Sequence, residues 1–393
     1  MNTPPHQLKG LSCSRTHTVT ITIEGGRISH VKTEATAKKE NPLFVSPGWI
    51  DHQLNGCNGI SFVEETLSVA DIKQLTQALW KQGITTFLPT LTTESKRIFR
   101  RNISVLSQAM DDANIGRSIP GIHIEGPYIS SVEGFRGAHP RQWICEPDWE
   151  EVVRWWELSE GRIAQLTIAP EVPGALSLIE KCVDLGIVIG LGHTNATAGQ
   201  IHDAVKAGAT VSTHLGNGCA NLIHRHHNPL WPQLANAGLF ASVIADGFHL
   251  TAEEMQVFWQ VKGTAKTILV SDMTRLAGMP PGTYEDFGRE VRVREDGAIM
   301  MPSENVLAGA SLPLSHGMKQ MQRSCGGSLE EIVACVSRNP ARLFAWEDRG
   351  ELVEGKWADM VLFADQEEGF QVKKTILRGE VVYEAKSGVY EGG

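Results

Sequence analysis

At 393 residues the chain is long enough for one large domain with an appendage, or for two domains. An apolar share of 41% and a charged share of 21% are those of a soluble globular protein. A formal net charge of -9, with no long Lys/Arg run, argues against nucleic acid or an anionic membrane as partner, while leaving room for a small anion held by a local positive site.

The first residues, Met1 to Gln7, carry no basic region followed by an apolar core, so no signal peptide is expected. No run of about 18 apolar residues announces a membrane span. The seven cysteines (13, 57, 145, 182, 219, 325 and 335) are scattered, odd in number and never spaced as CxxC. They read as reduced thiols of a cytoplasmic protein. Residues 17 to 33 alternate β-branched and polar side chains around Gly25-Gly26, the pattern of a hairpin. The other end repeats this texture in Met360 to Phe363, Lys374 to Leu377 and Glu380 to Tyr383. Two β-rich ends around a different middle predict a small sheet domain built from residues 1–46 and 348–393, enclosing a principal domain over 47–347.

From Ser46-Pro47-Gly48 onward, eight short apolar runs recur with helical stretches between most of them: Trp49 to Leu54, Thr85 to Leu88, Ile119 to Ile124, Ala164 to Ile168, Ile187 to Leu191, Thr210 to Thr213, Ser242 to Ala245 and Thr267 to Val270. Eight βα units predict an α/β fold, a (β/α)8 TIM-type barrel. A doubly wound sheet is the alternative, and no GxGxxG turn after the first strand supports it. Asp148 is placed to cap a helix with Trp149, Val152, Val153 and Trp156 on one face, helix-to-barrel packing rather than a ligand platform. Ala198 to Ala207 and Leu329 to Val336 read as helices, and Asn339 begins another.

Barrel active sites are built at the C-terminal ends of strands, and polar residues collect there. Strand one ends in Asp51-His52-Gln53-Leu54-Asn55, and strand three in His123-Ile124-Glu125. Strands five and six end in His193 and His214, strand seven in Asp246-Gly247-Phe248-His249, and strand eight in Ser271-Asp272. Singly, each has a plainer reading: His193 and His214 as core imidazoles, Glu125 as an ion-pair partner, Asp272 as a helix cap. Together, Glu125, His193 and His214 make a carboxylate and two imidazoles, a ligand set for one divalent metal with a position left for water. Such an ion lowers the pKa of water from about 16 to near 7, and Asp272 is then placed as the general base and acid. Strand alternation turns His52 to the opposite side, so it is not counted as a ligand. His123 faces as Glu125 does and belongs either beside the ligands or in the barrel core.

Several segments also carry a resemblance: Pro47-Gly48-Trp49-Ile50-Asp51, His123-Ile124-Glu125-Gly126-Pro127-Tyr128, Gly192-His193-Thr194-Asn195, Thr213-His214-Leu215-Gly216-Asn217, Arg136-Gly137-Ala138-His139, Leu307-Ala308-Gly309 and Leu352-Val353-Glu354-Gly355-Lys356-Trp357-Ala358-Asp359. In these the chain resembles the amidohydrolase superfamily, and within it the N-acetylglucosamine-6-phosphate deacetylases. The resemblance implies a barrel with a small β-sandwich domain from both termini. It also implies metal ligation by Glu125, His193 and His214, acid/base catalysis by Asp272, and substrate contacts from His139 and His249. Asn217, Gly218, Leu307, Ala308 and Gly309 then line the sugar pocket with Ala138, and Arg225 lies near the phosphate. One divalent metal per subunit (zinc first; iron, manganese or cobalt also suited) and a homodimer are implied as well.

Two departures stand out. The superfamily's first-strand HxH, which holds a second metal, is here Gln53-Leu54-Asn55, whose amides bind metal weakly; Gln53 and Asn55 are instead counted as substrate contacts. After His214 comes Gly216-Asn217-Gly218-Cys219-Ala220-Asn221-Leu222-Ile223-His224-Arg225-His226-His227, where the deacetylases have Asn-Ala-Met and no histidine cluster. His224, His226 and His227 could grip a phosphate with Arg225, could bind another polar group, or could be surface residues. The expected activity is removal of acetyl from N-acetylglucosamine 6-phosphate. The alternative is the same chemistry on another N-acyl substrate: N-acetylgalactosamine 6-phosphate, an unphosphorylated N-acyl sugar or an N-acyl amino acid. The intact Glu/His/His/Asp set argues against a non-catalytic barrel paralogue.

Overall fold

The computed structural model describes residues 6–35, 42–286, 288–303, 306–367 and 369–386; residues 1–5, on which part of the signal-peptide expectation rests, lie outside them. No helix among the described residues is long and apolar enough to cross a membrane.

Eight parallel strands follow Pro47: Trp49–Leu54, Ile84–Thr92, Ile122–Glu125, Ile163–Ile168, Val188–Leu191, Ala209–Ser212, Phe240–Val243 and Thr267–Leu269. They pair in chain order, each beside the next. Their residues are mostly apolar or β-branched and almost all buried, as strands covered on both faces require. At the joint between the eighth strand and the first, Asp272 N–H donates to Gln53 O (3.0 Å) and Asn55 N–H to Met273 O (2.8 Å). Deeper in, Ile50 N–H donates to Val336 O (2.7 Å). The result is the nearly closed (β/α)8 barrel that the eight runs predict.

Side-chain caps start several of the outer helices, which fixes where each loop ends. Ser68, Thr197, Thr251 and Ser328 form capping boxes with Asp71, Gln200, Glu254 and Glu331. Asp148 caps Trp149–Leu158 as expected, but the buried face differs from the Trp149/Val152/Val153/Trp156 stripe: it is Glu151, Val152 and Trp155. Three partners rotate the helix. Trp155 stacks on Tyr128 (5.8 Å between centroids) and meets Phe99 edge-on (5.3 Å), and Arg100 Nε draws Glu151 inward at 2.9 Å.

The two ends of the chain form one seven-stranded sheet, ordered Glu380–Glu384, Phe370–Leu377, Met360–Asp365, Phe44–Pro47, His6–Ser12, His17–Glu24, Arg27–Ala35. The hairpin around Gly25-Gly26 is as expected, with Glu24 opposite Arg27 and both glycines at positive φ. Each strand pairs with the next across all seven, and the sheet curls until its hairpin tips meet. Ala358 N–H donates to Gly26 O (2.9 Å) and Gly379 N–H to Ala358 O (3.0 Å). Val19, Ile21, Ile28, Met360, Leu362 and Ile376 fill the enclosed core. This unit docks on the barrel through Phe363 against Trp49 (5.7 Å) and Thr375 Oγ1 donating to Trp80 O (2.6 Å).

One element is absent from the reading of the sequence. After the eighth strand, Gly282–Asp286, Arg289–Val293, Ile299–Met301 and Val306–Leu307 form a four-stranded antiparallel sheet over a core of Leu276, Val291, Val293, Ile299, Met301 and Ala308.

Candidate metal centre and cavity

Glu125 ends the third barrel strand, and His193 and His214 follow the fifth and sixth by two residues. Both histidines and Asp272 adopt positive φ (49°, 32° and 51°), a strained conformation for side chains with a Cβ. Strain of this kind persists only where surrounding packing enforces it, and here it turns three polar side chains toward one point. Glu125 Oε1 lies 3.2 Å from His193 Nε2 and 3.0 Å from His214 Nε2, and the two ring nitrogens are 3.0 Å apart. Among the described residues, these three form the one group of three or more His, Cys, Asp or Glu side chains whose donor atoms converge within 4.8 Å as a metal site requires. All three are buried.

The surroundings set the protonation of each donor. His193 Nδ1 faces Phe135 O at 3.2 Å, which makes Nδ1–H the donor and leaves Nε2 bare. Burial alone would raise Glu125, yet the two imidazoles against it, His193 and His214, hold it well below the usual carboxylate range. Burial lowers His193; His214 is raised, its burial outweighed by Glu125. Asp272 is pushed up to about 6 by burial and the charge of Glu125, against the pull of His214, His249 and an Asn55 hydrogen bond. That bond runs from Asn55 Nδ2 to Asp272 Oδ1 at 2.8 Å.

Above the cluster opens a cavity of about 470 Å³. Its lining includes Asn55, Ala138, His139, Asn217, Gly218, His249, Leu307 and Gly309, together with Glu125, His193, His214 and Asp272. His139 is fixed by Thr93: Nδ1 accepts from Thr93 N–H (3.4 Å) and lies 2.7 Å from Thr93 Oγ1, so Nε2 carries the proton. His249 Nδ1–H donates to Asp246 Oδ2 (2.7 Å). Gly137 and Gly218, both at positive φ, press their backbone against the His193 ring, where a Cβ would come within 2.9 Å.

Three expected site residues lie elsewhere. Gln53 sits beneath the cavity floor and donates to Glu125 Oε1 (3.1 Å). Ala308 points into the core of the inserted sheet. Arg225 is on the exposed loop, outside the cavity lining, as are His224, His226 and His227. The loop holds itself: His224 Nδ1 accepts from the N–H of His226 (3.2 Å) and His227 (3.0 Å), and Trp231 Nε1 donates to Arg225 O (2.9 Å). No lysine or arginine lines the cavity among the described residues. His52 and His123 belong to the barrel core, where burial pushes them down to about 4 and about 3. Residues that sequence reasoning missed include Met300 and Val306 of the inserted sheet, Cys219 and Glu254. Only the alternating pattern Glu290-Val291-Arg292-Val293 hinted at that sheet.

Comparison with known proteins agrees with this geometry. The sequence matches the Amidohydrolase family over residues 44–382. It is 32% identical to N-acetylglucosamine-6-phosphate deacetylase of Bacillus subtilis, over 93% of this chain and 92% of the relative. It is 29% identical to N-acetylgalactosamine-6-phosphate deacetylase of a Shewanella strain, over 92% and 90%. Among solved structures, a mutant N-acetyl-D-glucosamine-6-phosphate deacetylase from Mycobacterium smegmatis, in complex with N-acetyl-D-glucosamine-6-phosphate, superposes with a TM-score of 0.83 at 27% identity, covering 93% of this chain and 95% of that one. Barrel, curled sheet, donor cluster and sequence together make the chain a member of the amidohydrolase family, whose hydrolases are metal-dependent.

Proposed function

We propose that this protein is a metal-dependent hydrolase that removes acetyl from N-acetylglucosamine 6-phosphate, giving glucosamine 6-phosphate and acetate. The convergence of Glu125, His193 and His214 on the floor of a cavity that Asp272 also lines carries the reaction type. The relatives supply the substrate.

The donor set fits one divalent cation. Glu125, His193 and His214 would hold it: two ring nitrogens 3.0 Å apart, one of them bare, both face the same carboxylate oxygen, a crowding that a bound cation would relieve. Gln53 meets Glu125 with an amide N–H, which favours one ion per subunit over two. Zinc is the first choice for this set, with iron, manganese and cobalt also suited. When bound, such an ion supplies Lewis-acid polarisation of the acetamide carbonyl and brings the pKa of water near neutrality.

Asp272 takes a proton from the attacking water and returns it to the amine nitrogen as the C–N bond breaks. Asn55 holds the Asp272 carboxylate in line. His139 Nε2–H and His249 contact the acetamide oxygen and the sugar, and Ala138, Asn217, Gly218, Leu307 and Gly309 form the walls. The exposed position of Arg225 supports a homodimer in which it serves the phosphate in the partner's cavity. Seven free cysteines support a cytoplasmic location. The Shewanella relative favours a second reading, N-acetylgalactosamine 6-phosphate, with the same chemistry.

Asp272→Asn tests the mechanism. The variant is expected to keep one equivalent of metal and to lose roughly 100- to 10,000-fold in turnover. Turnover within tenfold of wild type would remove Asp272 from this role.

A further inference from the structure

Beneath the donor cluster, the barrel interior holds a chain of polar side chains where apolar packing is the norm. His52 Nδ1 lies 3.0 Å from Gln165 Oε1, and Gln165 Nε2 lies 3.2 Å from His123 Nε2. Thr167 Oγ1 lies 2.8 Å from His123 Nε2 and 2.8 Å from Thr213 Oγ1. His123 Nδ1 faces Thr90 Oγ1 at 3.3 Å, and Thr90 Oγ1 in turn donates to Leu88 O (3.2 Å).

One direction of donation runs the length of the chain. Thr213 donates to Thr167, Thr167 to His123 Nε2, His123 Nδ1–H to Thr90, and Thr90 to the Leu88 carbonyl. His52 donates to Gln165, whose amide N–H shares the His123 Nε2 lone pair with the shorter Thr167 bond. A buried chain of hydrogen bonds with one direction is rigid, because each bond polarises the next and dropping a hydroxyl orphans its neighbour. All six residues are buried.

The fifth strand is cut back to let the chain through. Thr167 and Thr213 stand on strands four and six, which are not neighbours, yet their hydroxyls touch. They meet across Gly190, where a Cβ would lie 2.5 Å from Thr213 Oγ1 and 3.1 Å from Thr167 Oγ1. Gly192, just before His193, leaves equal room: a Cβ there would reach Thr213 Cβ at 2.8 Å. Two members of the network stand beside metal-site donors in the chain. His123 stands two residues before Glu125, and Thr213 immediately precedes His214.

We propose that Thr213, Thr167 and His123 are positioning residues that fix the spacing of Glu125, His193 and His214. The inference rests on reading those three as the metal site. The hydroxyl of Thr213 ties the strained His214 backbone to strand four, and through His123 to the strand that carries Glu125. The donors therefore stand at ligand spacing before any ion arrives. Loss of one hydroxyl lets strand six shift against strand three, and the loss appears in ion binding rather than in folding.

The test compares wild type with Thr213→Val, Thr167→Val and Thr213→Ser, in the full chain. Zn2+ affinity is measured by chelator competition, Co2+ absorption reports ligand geometry, and the thermal midpoint is taken on metal-free protein. Each valine variant is expected to bind Zn2+ roughly 10- to 100-fold more weakly, with an altered Co2+ spectrum and a metal-free midpoint within a few degrees of wild type. Thr213→Ser, which restores the hydroxyl, recovers most of the affinity. Wild-type affinity and spectrum in both valine variants would overturn the proposal, as would loss of affinity only in step with the metal-free midpoint. Failure of wild-type protein to bind either ion would instead remove the metal-site reading on which the proposal stands.

Discussion

Asp272 is held between two influences. Burial and the charge of Glu125 raise it, while Asn55 donates to its carboxylate at 2.8 Å and lowers it. A base must be ionised to accept a proton, so kcat/KM falls as pH drops through the value of this group. That value is about 6 in the protein alone, and a bound cation stabilises the carboxylate, so the acid limb is expected at or below about pH 6. Asn55→Ala removes the hydrogen bond and moves the limb upward by up to about one unit. A limb that stays in place or moves down in the pH profile of that variant would contradict the coupling. Asp51, nearby and fully buried, makes a separate statement about stability. Its Oδ1 accepts from the N–H of Ser271 (3.2 Å) and Gln53 (3.4 Å), and burial pushes it up to about 7. The folded state therefore keeps this proton where the unfolded chain has released it. Stability from this group is full below about pH 4 and is lost as pH rises to about 7, by a few kcal/mol in all. Asp51→Asn, which mimics the neutral acid, is expected to gain thermal stability relative to wild type between pH 5 and 8; a difference that is flat with pH would contradict the assignment.

At the scale of elements, the barrel strands were readable because strands buried on both faces are short runs dominated by apolar and β-branched residues, with helical stretches between them. Their ends were less so. The second runs on to Thr92, past a Pro89 that reads as a breaker but lies at a register shift opposite Leu54. The third begins only at Ile122, since residues 116–118 form a 3-10 turn. Strand-end polar residues were readable for the same reason as the strands: Glu125, His193, His214 and Asp272 each terminate an apolar run. Helix rotation was not, because it depends on Phe99, Tyr128 and Arg100, which are distant in sequence from Trp155. Trp155→Ala is expected to cost about 3–5 kcal/mol in denaturant unfolding, and Trp149→Ala clearly less. Equal costs would return the helix to its sequence-expected face. The inserted sheet escaped notice since two of its strands are charged and the other two are only three and two residues long, and the position of Arg225 escaped because a loop's path is set by its own local bonds.

In the whole molecule, a curled sheet made from both chain ends grips the outside of the barrel, while the chemistry stays at the opposite, C-terminal end of the strands. We propose domain limits near 46–47 and 347–348 for this division, although the sheet strand Phe44–Pro47 runs one residue past the first of them. Binding of an ion to the folded state alone stabilises that state by mass action, so chelation is expected to lower the thermal midpoint by several degrees, and added Zn2+ to restore it. No change on chelation would speak against a resident metal. The central claim is deacetylation of a sugar phosphate. Its most direct measurement is acetate release from N-acetylglucosamine 6-phosphate, from its galactosamine counterpart and from unphosphorylated N-acetylglucosamine, using metal-replete enzyme. N-acetylglucosamine 6-phosphate is expected to give the highest kcat/KM, at least about 100-fold above the unphosphorylated sugar, since phosphate contacts of about 3 kcal/mol are lost with the phosphate. Equal rates with and without the phosphate, or no acetate from any of the three, would contradict it.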